Sequence, residues 1–348
     1  MLNEDNGHRY HESGIMIQVK PVIINHHRCP VIRLVSLVTS CMMCFVVSIA
    51  EPVFSQEYIF ETEWGAPGTS YGSFSQPQGI AVDSAGNIYV TDFTALANQV
   101  QKFTGDGTFI VAWGYLGFGA GFFTHPAGIA VDLSNDNVYV TDFGSAEIAV
   151  QKFTNDGNFI TGWGSLGLGP AQFINPAGIA VDAQGNVYVS DFGENNDIKK
   201  FTSDGDFILE WGSPGTGDSQ FIEPTSIAID STNDYVYVTD SGNQRVQKFD
   251  LNGNFLAKWG SPGTGNSQFS NPEGIAVDSR GYVYVADTDN DRVQKFDGNG
   301  TFITKWGDRG TGDGQFIGPA SIAVDNNGTR VYVADSGNSR VQVFIANS

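Results

Sequence analysis

Short apolar runs separated by turn-forming residues recur along this chain from about residue 57 to residue 345. Between Pro272 and Gly307 there are four such runs, rich in β-branched and aromatic residues: GIAVD, YVYVAD, RVQKF and TFITKW. The segments between them are DSRG, DTDND and DGNG, whose Gly, Asp and Asn residues are typical of tight turns. The pattern predicts a four-stranded antiparallel meander.

The meander is repeated six times. The proline that starts each copy recurs at steps of 49, 50, 48, 48 and 47 residues, at Pro77, Pro126, Pro176, Pro224, Pro272 and Pro319. A constant period of this length indicates a repeat architecture, and one such sheet cannot bury both of its faces alone. Six sheets arranged radially can, because each packs on its neighbours. The sequence therefore predicts an all-β fold, a six-bladed β-propeller of four-stranded antiparallel blades.

The two ends of the repeat array complement each other. The last copy ends at Phe344, after its third predicted strand, whereas Phe60 to Gly65 repeats the pattern of Phe302 to Gly307. We therefore predict that residues 57–65 form the outer strand of the sixth blade, so that an N-terminal strand completes the last blade and closes the ring. Closure removes the open sheet edge that a linear array would expose.

The copies share the pattern P-x-G-I-A-V-D, then Y-V-x-D, N-x-R-V-Q-K-F and F-x-x-x-W-G. Over about residues 57–345 this pattern resembles the NHL repeat, and the resemblance implies a six-bladed β-propeller. Proteins of this family are similar in scaffold yet serve as protein-binding, RNA-binding or, in some cases, catalytic domains. Function therefore has to be sought in the site rather than in the fold.

The first fifty residues are predicted to be a signal peptide or an N-terminal membrane anchor. Residues 1–30 are polar, and residues 34–50 form an apolar run without a charge directly after Arg33. The run ends in the small-residue pattern SIA, which predicts a secretory signal with cleavage before Glu51.

Two alternatives to cleavage remain open. Residues 34–50 are at the lower limit of length for a bilayer-spanning anchor, and the segment that ends at Cys41 resembles a bacterial lipoprotein box. Translation from Met16 rather than Met1 would give a shorter signal. In every case we expect the propeller, residues 51–348, to be secreted or extracytoplasmic. It would contact a membrane only through residues 34–50, if they are retained.

Composition excludes several kinds of partner and site. Residues 51–348 hold 35 acidic residues against 14 basic ones, and a surface of this sign repels phosphate backbones. We therefore expect no nucleic-acid partner. All three cysteines precede residue 51, so the propeller sequence contains no disulfide, thiol nucleophile or thiolate metal site.

Residues that recur in every copy are predicted to build the fold. The aspartates that end the first and second strands suit calcium in principle, but Asp at the head of a turn accepts hydrogen bonds from backbone amides, which favours Asx turns. These aspartates are Asp83, Asp132, Asp182, Asp230, Asp278 and Asp325, then Asp92, Asp142, Asp191, Asp240, Asp287 and Asp335. The tryptophans that end the outer strands are expected to wedge between blades: Trp64, Trp113, Trp163, Trp211, Trp259 and Trp306.

Function is expected where the repeat breaks. The loops after strand two are DSGNQRV, DTDNDRV and DSGNSRV in blades four to six, but DFTALANQV, DFGSAEIAV and DFGENNDI in blades one to three. The loops after strand four, expected on the same face, are GYLGFGAGFF and GSLGLGPAQF where later blades carry SPGTG. The candidate partner-binding residues are Phe93, Tyr115, Leu116, Phe118, Phe143, Leu166, Leu168 and Phe192. Such a sector is typical of an interface, and the alternative is that these side chains fold over the blade ends.

Chemistry-bearing residues are sparse. Zinc-dependent propeller lyases resemble NHL proteins and use several histidines, whereas His125 is the only histidine after residue 50. Lactonase-like propellers hold a channel calcium through unrepeated side chains, for which Glu223, Glu273 and Asn175 lie near strand starts without forming a recognisable set.

The sequence therefore favours a non-catalytic binding or scaffold module that is monomeric, needs no cofactor or metal and recognises an extracellular protein, peptide or glycan. The alternative is a calcium-dependent hydrolase or lyase with its site in the central channel.

Overall fold

The computed structural model describes residues 58–93 and 98–347 of the chain. The predicted signal or anchor, residues 1–50, lies outside the described residues. Within the described ranges, no helix has both the length and the hydropathy needed to cross a membrane.

The described residues form six four-stranded antiparallel sheets, as the sequence predicts. The first strand along the chain, β1 (Tyr58–Trp64), belongs to the sixth blade. Blade one comprises β2 (Pro77–Val82), β3 (Ile88–Asp92), β4 (Gln99–Phe103) and β5 (Phe109–Trp113). Blade two comprises β6 (Pro126–Asp132), β7 (Asn137–Asp142), β8 (Val150–Phe153) and β9 (Phe159–Trp163). A short parallel pair, β10 (Ser165–Leu166) and β11 (Gln172–Phe173), follows it.

Blade three comprises β12 (Asn175–Val181), β13 (Val187–Phe192), β14 (Asp197–Phe201) and β15 (Phe207–Trp211). Blade four comprises β16 (Pro224–Asp230), β17 (Tyr235–Asp240), β18 (Arg245–Asp250) and β19 (Phe255–Trp259). Blade five comprises β20 (Pro272–Val277), β21 (Val283–Asp287), β22 (Arg292–Phe296) and β23 (Phe302–Trp306). Blade six comprises β24 (Pro319–Val324), β25 (Arg330–Asp335), β26 (Arg340–Ala346) and β1.

The predicted ring closure is confirmed. β1 pairs antiparallel with β26, with Tyr58 opposite Ala346 and Trp64 opposite Val341. The Tyr58 ring stacks on Trp306 of the fifth blade at a centroid distance of 4.4 Å. The first described strand therefore completes its own sheet and also packs against the preceding blade.

The predicted role of the tryptophans in packing is confirmed as well. Trp113, on the outer strand of blade one, lies 5.9 Å from the ring of Phe153 in blade two, and the same pairing recurs at every blade junction. A Cβ atom built on Gly157 would lie only 2.5 Å from the Trp113 ring. The turn between strands three and four therefore needs glycine where the neighbouring blade's indole lies against it.

The repeated aspartates form the predicted turn contacts. Asp83 Oδ1 accepts hydrogen bonds from the amides of Ala85 and Asn87, and its Oδ2 accepts one from the Tyr89 hydroxyl. The aspartates at the ends of second strands bind the loop that enters the same blade: Asp92 Oδ1 accepts from the Gln76 amide at 2.9 Å. Each carboxylate thus replaces backbone partners that a sharp turn leaves unpaired.

The loops after strands two and four share one face of the disc. The residue after the second strand donates its amide to the carbonyl just before the first strand, as Phe93 does to Gln76 at 3.1 Å and Phe143 to His125 at 3.0 Å. In blades four to six the loop after strand two forms a 3-10 turn: Ser241–Asn243, Thr288–Asn290 and Ser336–Asn338. The placement of both loop sets on one face is therefore confirmed.

Candidate functional site

The structure divides the eight candidate residues into two groups. Phe93, Phe143 and Phe192 are half-buried and line cavities around the mouth of the central channel. The other five are exposed on the loops after strand four: Tyr115, Leu116, Phe118, Leu166 and Leu168. We call the first group, together with His125, the aromatic row, and the second group the rim residues.

The aromatic row is continuous. Phe93 lies 4.4 Å from the His125 ring, His125 lies 5.7 Å from Phe143, and Phe143 stacks on Phe192 at 5.7 Å with the two rings 8° from parallel. The row lines a cavity of about 360 Å³, which Gln76, Gln78, Pro126 and Ala127 complete. The sequence showed His125 as the only histidine after residue 50, and it did not reveal that this imidazole joins the phenylalanines into one surface.

Buried carboxylates hold the loops that carry the row. Asp142 Oδ1 accepts hydrogen bonds from the amides of Thr124 and His125 at 2.8 and 2.7 Å. Asp92 binds the amides of Ser75 and Gln76 in the same way. The carboxylates at the ends of these second strands therefore hold in place the loop backbone of Gln76 and His125, whose side chains line the cavity.

Asp92 and Asp142 differ from the corresponding aspartates of blades four to six, which pair with an arginine. In blade four the guanidinium Nε of Arg245 donates to Asp240 at 2.6 Å. In blade one the residue paired with Asp92 in the strand register is Gln99. In blade two the backbone carbonyl of Ala149 accepts a hydrogen bond from the Asp142 amide. Neither residue has a charged side chain. Burial raises the pKa of Asp92 and of Asp142 to about 6, and the backbone amides that donate to both carboxylates only partly compensate.

The central channel opens beside the aromatic row. It encloses about 250 Å³, and its wall consists mainly of the Gly and Ile residues of the innermost strands. Gln78, Ala127 and Phe192 line both this channel and the cavity of the aromatic row. The two cavities are therefore neighbours that share one wall.

One ionisable side chain lines the channel in the described part of the chain. The residue that follows the repeat proline faces the channel in all six blades, and in blade five this residue is Glu273. Burial raises the pKa of the Glu273 carboxyl to about 7, and the Asn271 amide, which donates to it at 3.0 Å, only partly compensates. The nearby Asp289 adds to the rise.

The set considered for a channel calcium does not come together. Glu223 is exposed, Asn175 is half-buried, and neither belongs to the channel wall that contains Glu273. Across residues 58–93 and 98–347, no three His, Cys, Asp or Glu side chains are grouped as metal ligands. The channel thus presents a single carboxyl group rather than a metal-binding cluster of acids.

The rim residues lie on loops whose backbone forms the same bridge in several blades of the chain. Leu116 bridges to Phe123 and Leu166 pairs with Phe173, and Pro214 and Pro262 form the same bridge in later blades. The apolar side chains are therefore added to a loop that needs no leucine for its shape. Tyr71, which the sequence analysis did not single out, is 61% exposed and lines the same cavity as Tyr115 and Leu116, so the rim continues into the neighbouring loop.

Two protein-family models match parts of the chain. The NHL repeat matches residues 74–103, 123–150, 173–201 and 316–344. The SMP-30/Gluconolactonase/LRE-like region matches residues 217–307. A comparison with curated proteins finds no match.

Solved structures of similar fold include proteins of different kinds. A protein of unknown function from Bacteroides thetaiotaomicron is 16% identical, with 82% of this chain and 76% of that chain covered and a TM-score of 0.60. A gluconolactonase from Xanthomonas campestris is 15% identical, with 80% and 88% covered and a TM-score of 0.57. A streptogramin B lyase is 16% identical, with 84% and 99% covered and a TM-score of 0.57.

At these identities the likeness is one of fold, and it extends to binding proteins and enzymes alike. The repeat pattern, the six closed blades and the matched repeats agree with one another. The chain contains four matched NHL repeats and is a six-bladed β-propeller.

Proposed function

We propose that this propeller is a non-catalytic recognition module that binds a protein, peptide or glycan at the aromatic row. The observation that carries the proposal is the continuous surface of Phe93, His125, Phe143 and Phe192 around a concave cavity next to the channel. Aromatic side chains supply large contact areas at low conformational cost, and they dominate binding energy at interfaces. Export directed by residues 1–50 is part of the proposal.

The aromatic row is preferred over the rim as the primary site because its rings are already ordered against one another. Half-buried stacked rings lose little side-chain entropy on binding. Phe118, by contrast, is 71% exposed between glycines and would have to be immobilised by a partner. We assign the rim a secondary contact with the same partner.

The test is selection from a displayed peptide library and a glycan array, followed by variants. Phe143→Ser with Phe192→Ser should abolish binding of the selected ligands, whereas Phe118→Ser should weaken it only modestly. Thermal unfolding of each variant checks that the fold is retained. Unchanged binding by the double variant, or no ligand retained by the wild-type protein, would contradict the proposal.

A second candidate function is a calcium-dependent hydrolase or lyase acting in the central channel. It is favoured by the position of Glu273 in the channel wall and by the family match over residues 217–307. Calorimetric titration with calcium separates the two candidates. Calcium binding that disappears in Glu273→Gln would favour the enzyme, and its absence in the wild-type protein favours the recognition module.

A further inference from the structure

The channel mouth combines an aromatic wall with one isolated carboxyl group. Phe192, at the end of the aromatic row, and Glu273 line the same cavity of about 250 Å³. The rest of that wall is built mostly from Gly, Ala and Ile, with hydroxyl groups from Thr225, Ser226 and Ser321. An aromatic ring and a carboxylate therefore face the same cavity, which has the volume of a small ligand.

Among the residues that the structure describes, no cation pairs with Glu273. The hydrogen-bond partner of its carboxylate in the described residues is the neutral amide of Asn271, and the charged neighbour that affects it is a second acid, Asp289. The carboxylates that end the second strands of blades four to six differ, since Asp240, Asp287 and Asp335 each pair with an arginine. Glu273 is half-buried, and a carboxylate partly removed from water without a cation is destabilised, so that a bound cation would offset this cost.

The repeat identifies this carboxyl group as an addition rather than a part of the scaffold. The residues at the corresponding positions of the other blades are Gln78, Ala127, Ala177, Thr225 and Ala320. Their variety shows that the blade does not need an acid at this position. The half-buried Glu273 is therefore a departure from the repeat, and the hydrogen bond that its carboxylate receives comes from the Asn271 amide.

We infer that the channel mouth recognises a protonated primary amine attached to an aromatic group, with the amine at Glu273 and the ring against Phe192. The inference rests on the proposed binding function and specifies the chemistry of its ligand. An ammonium group satisfies the carboxylate, and aromatic faces attract the same cation through their quadrupole. Glu273 and Asp289 repel a carboxylate, so an anionic analogue is disfavoured.

Three probes of similar size test this chemistry: 2-phenylethylamine, 2-phenylethanol and 3-phenylpropionate. Binding is measured by NMR titration of the full-length protein at pH 8, at which the Glu273 carboxyl is ionised and an alkyl amine is protonated. We expect the amine to bind about tenfold more tightly than the alcohol, which corresponds to about one pKa unit of differential interaction. The carboxylate should bind most weakly.

Variants separate the carboxyl group from the aromatic wall. Glu273→Gln should reduce the affinity for the amine to that for the alcohol, while Glu273→Asp should keep part of the preference. Phe192→Ser should weaken all three probes. Glu223→Gln is the matched control, because Glu223 is an exposed acid outside the channel wall, and it should leave the preference unchanged.

The outcomes distinguish this inference from the proposed function. The amine inference would be overturned if the wild-type protein bound the amine and the alcohol with equal affinity and Phe192→Ser bound neither. That result would still support recognition of an aromatic group. An amine preference that survives in Glu273→Gln would overturn the amine inference as well, and so would failure of all three probes to bind. Phe-Ala-Ala with a free or an acetylated amino terminus then shows whether a peptide terminus is accepted like a free amine.

Discussion

We predict that Asp92 and Asp142 make this propeller less stable as the pH rises. A salt-bridged carboxylate has the opposite effect on stability. Both side chains are buried, with exposures of 0% and 2%, and both have a pKa near 6 instead of the ordinary 3.8. The folded state therefore binds their protons more tightly than the unfolded state does. Their contribution favours folding at low pH and is lost as the pH rises from about 4 to above 6.

The magnitude follows from the two pKa values. A shift of 2.2 units corresponds to about 3 kcal/mol over the whole window for each carboxyl group. Between pH 5 and pH 8 the same linkage gives a loss of about 1.4 kcal/mol each. Replacing either residue with Asn removes its titration and retains an oxygen that can accept the amide hydrogen bonds.

The assay is urea unfolding at pH 5 and pH 8 for wild type, Asp92→Asn, Asp142→Asn and the double variant. Each substitution should reduce the pH 5 to pH 8 difference in the free energy of unfolding by about 1.4 kcal/mol, and the double variant by about 3 kcal/mol. Other titrating groups, such as Asp197 and Glu273, cancel because every protein in the series contains them.

Asp287→Asn is the matched control, because it leaves the buried guanidinium of Arg292 without its carboxylate and should lower stability at both pH values. A double variant with the same pH dependence as wild type would refute the reasoning. It would mean that the backbone hydrogen bonds keep both carboxylates ionised despite their burial.

Two further substitutions test the blade junctions by thermal and urea unfolding. Gly157→Ala should destabilise the protein by about 1 to 3 kcal/mol more than Gly72→Ala, because both glycines have positive φ but only Gly157 lies against the Trp113 ring; equal effects would exclude the steric contact. Tyr58→Ala should cost about 3 to 5 kcal/mol because its ring stacks on Trp306 at the ring closure, while Tyr58→Phe should cost about 1 kcal/mol. A Tyr58→Ala protein as stable as wild type would show that the closing strand contributes little.

The sequence predicted the scaffold well because the residues that the blade requires recur at the same positions in six copies. The period, the Asx turns, the tryptophan wedges and the closing strand were all visible as patterns, and each is confirmed. The split of the last blade was predictable because Trp64 and Gly65 match a pattern that is missing after Phe344.

The candidate site was predicted only in part. The repeat breaks identified the apolar half of one face, including Phe93, Phe143 and Phe192, since departures from a strict pattern are visible without coordinates. They did not separate these phenylalanines from the rim residues, because position in a loop does not determine whether a ring turns toward the channel or toward solvent.

By itself, then, the sequence determined the blade, the number of blades and the way the ring closes, because strand periodicity and turn chemistry are local properties that repetition makes unmistakable. Tertiary structure decided which irregular residues meet. It placed His125 between Phe93 and Phe143, and it brought Glu273 into the same channel as Phe192. These contacts join residues from different blades, and only the closed ring sets the distances between them.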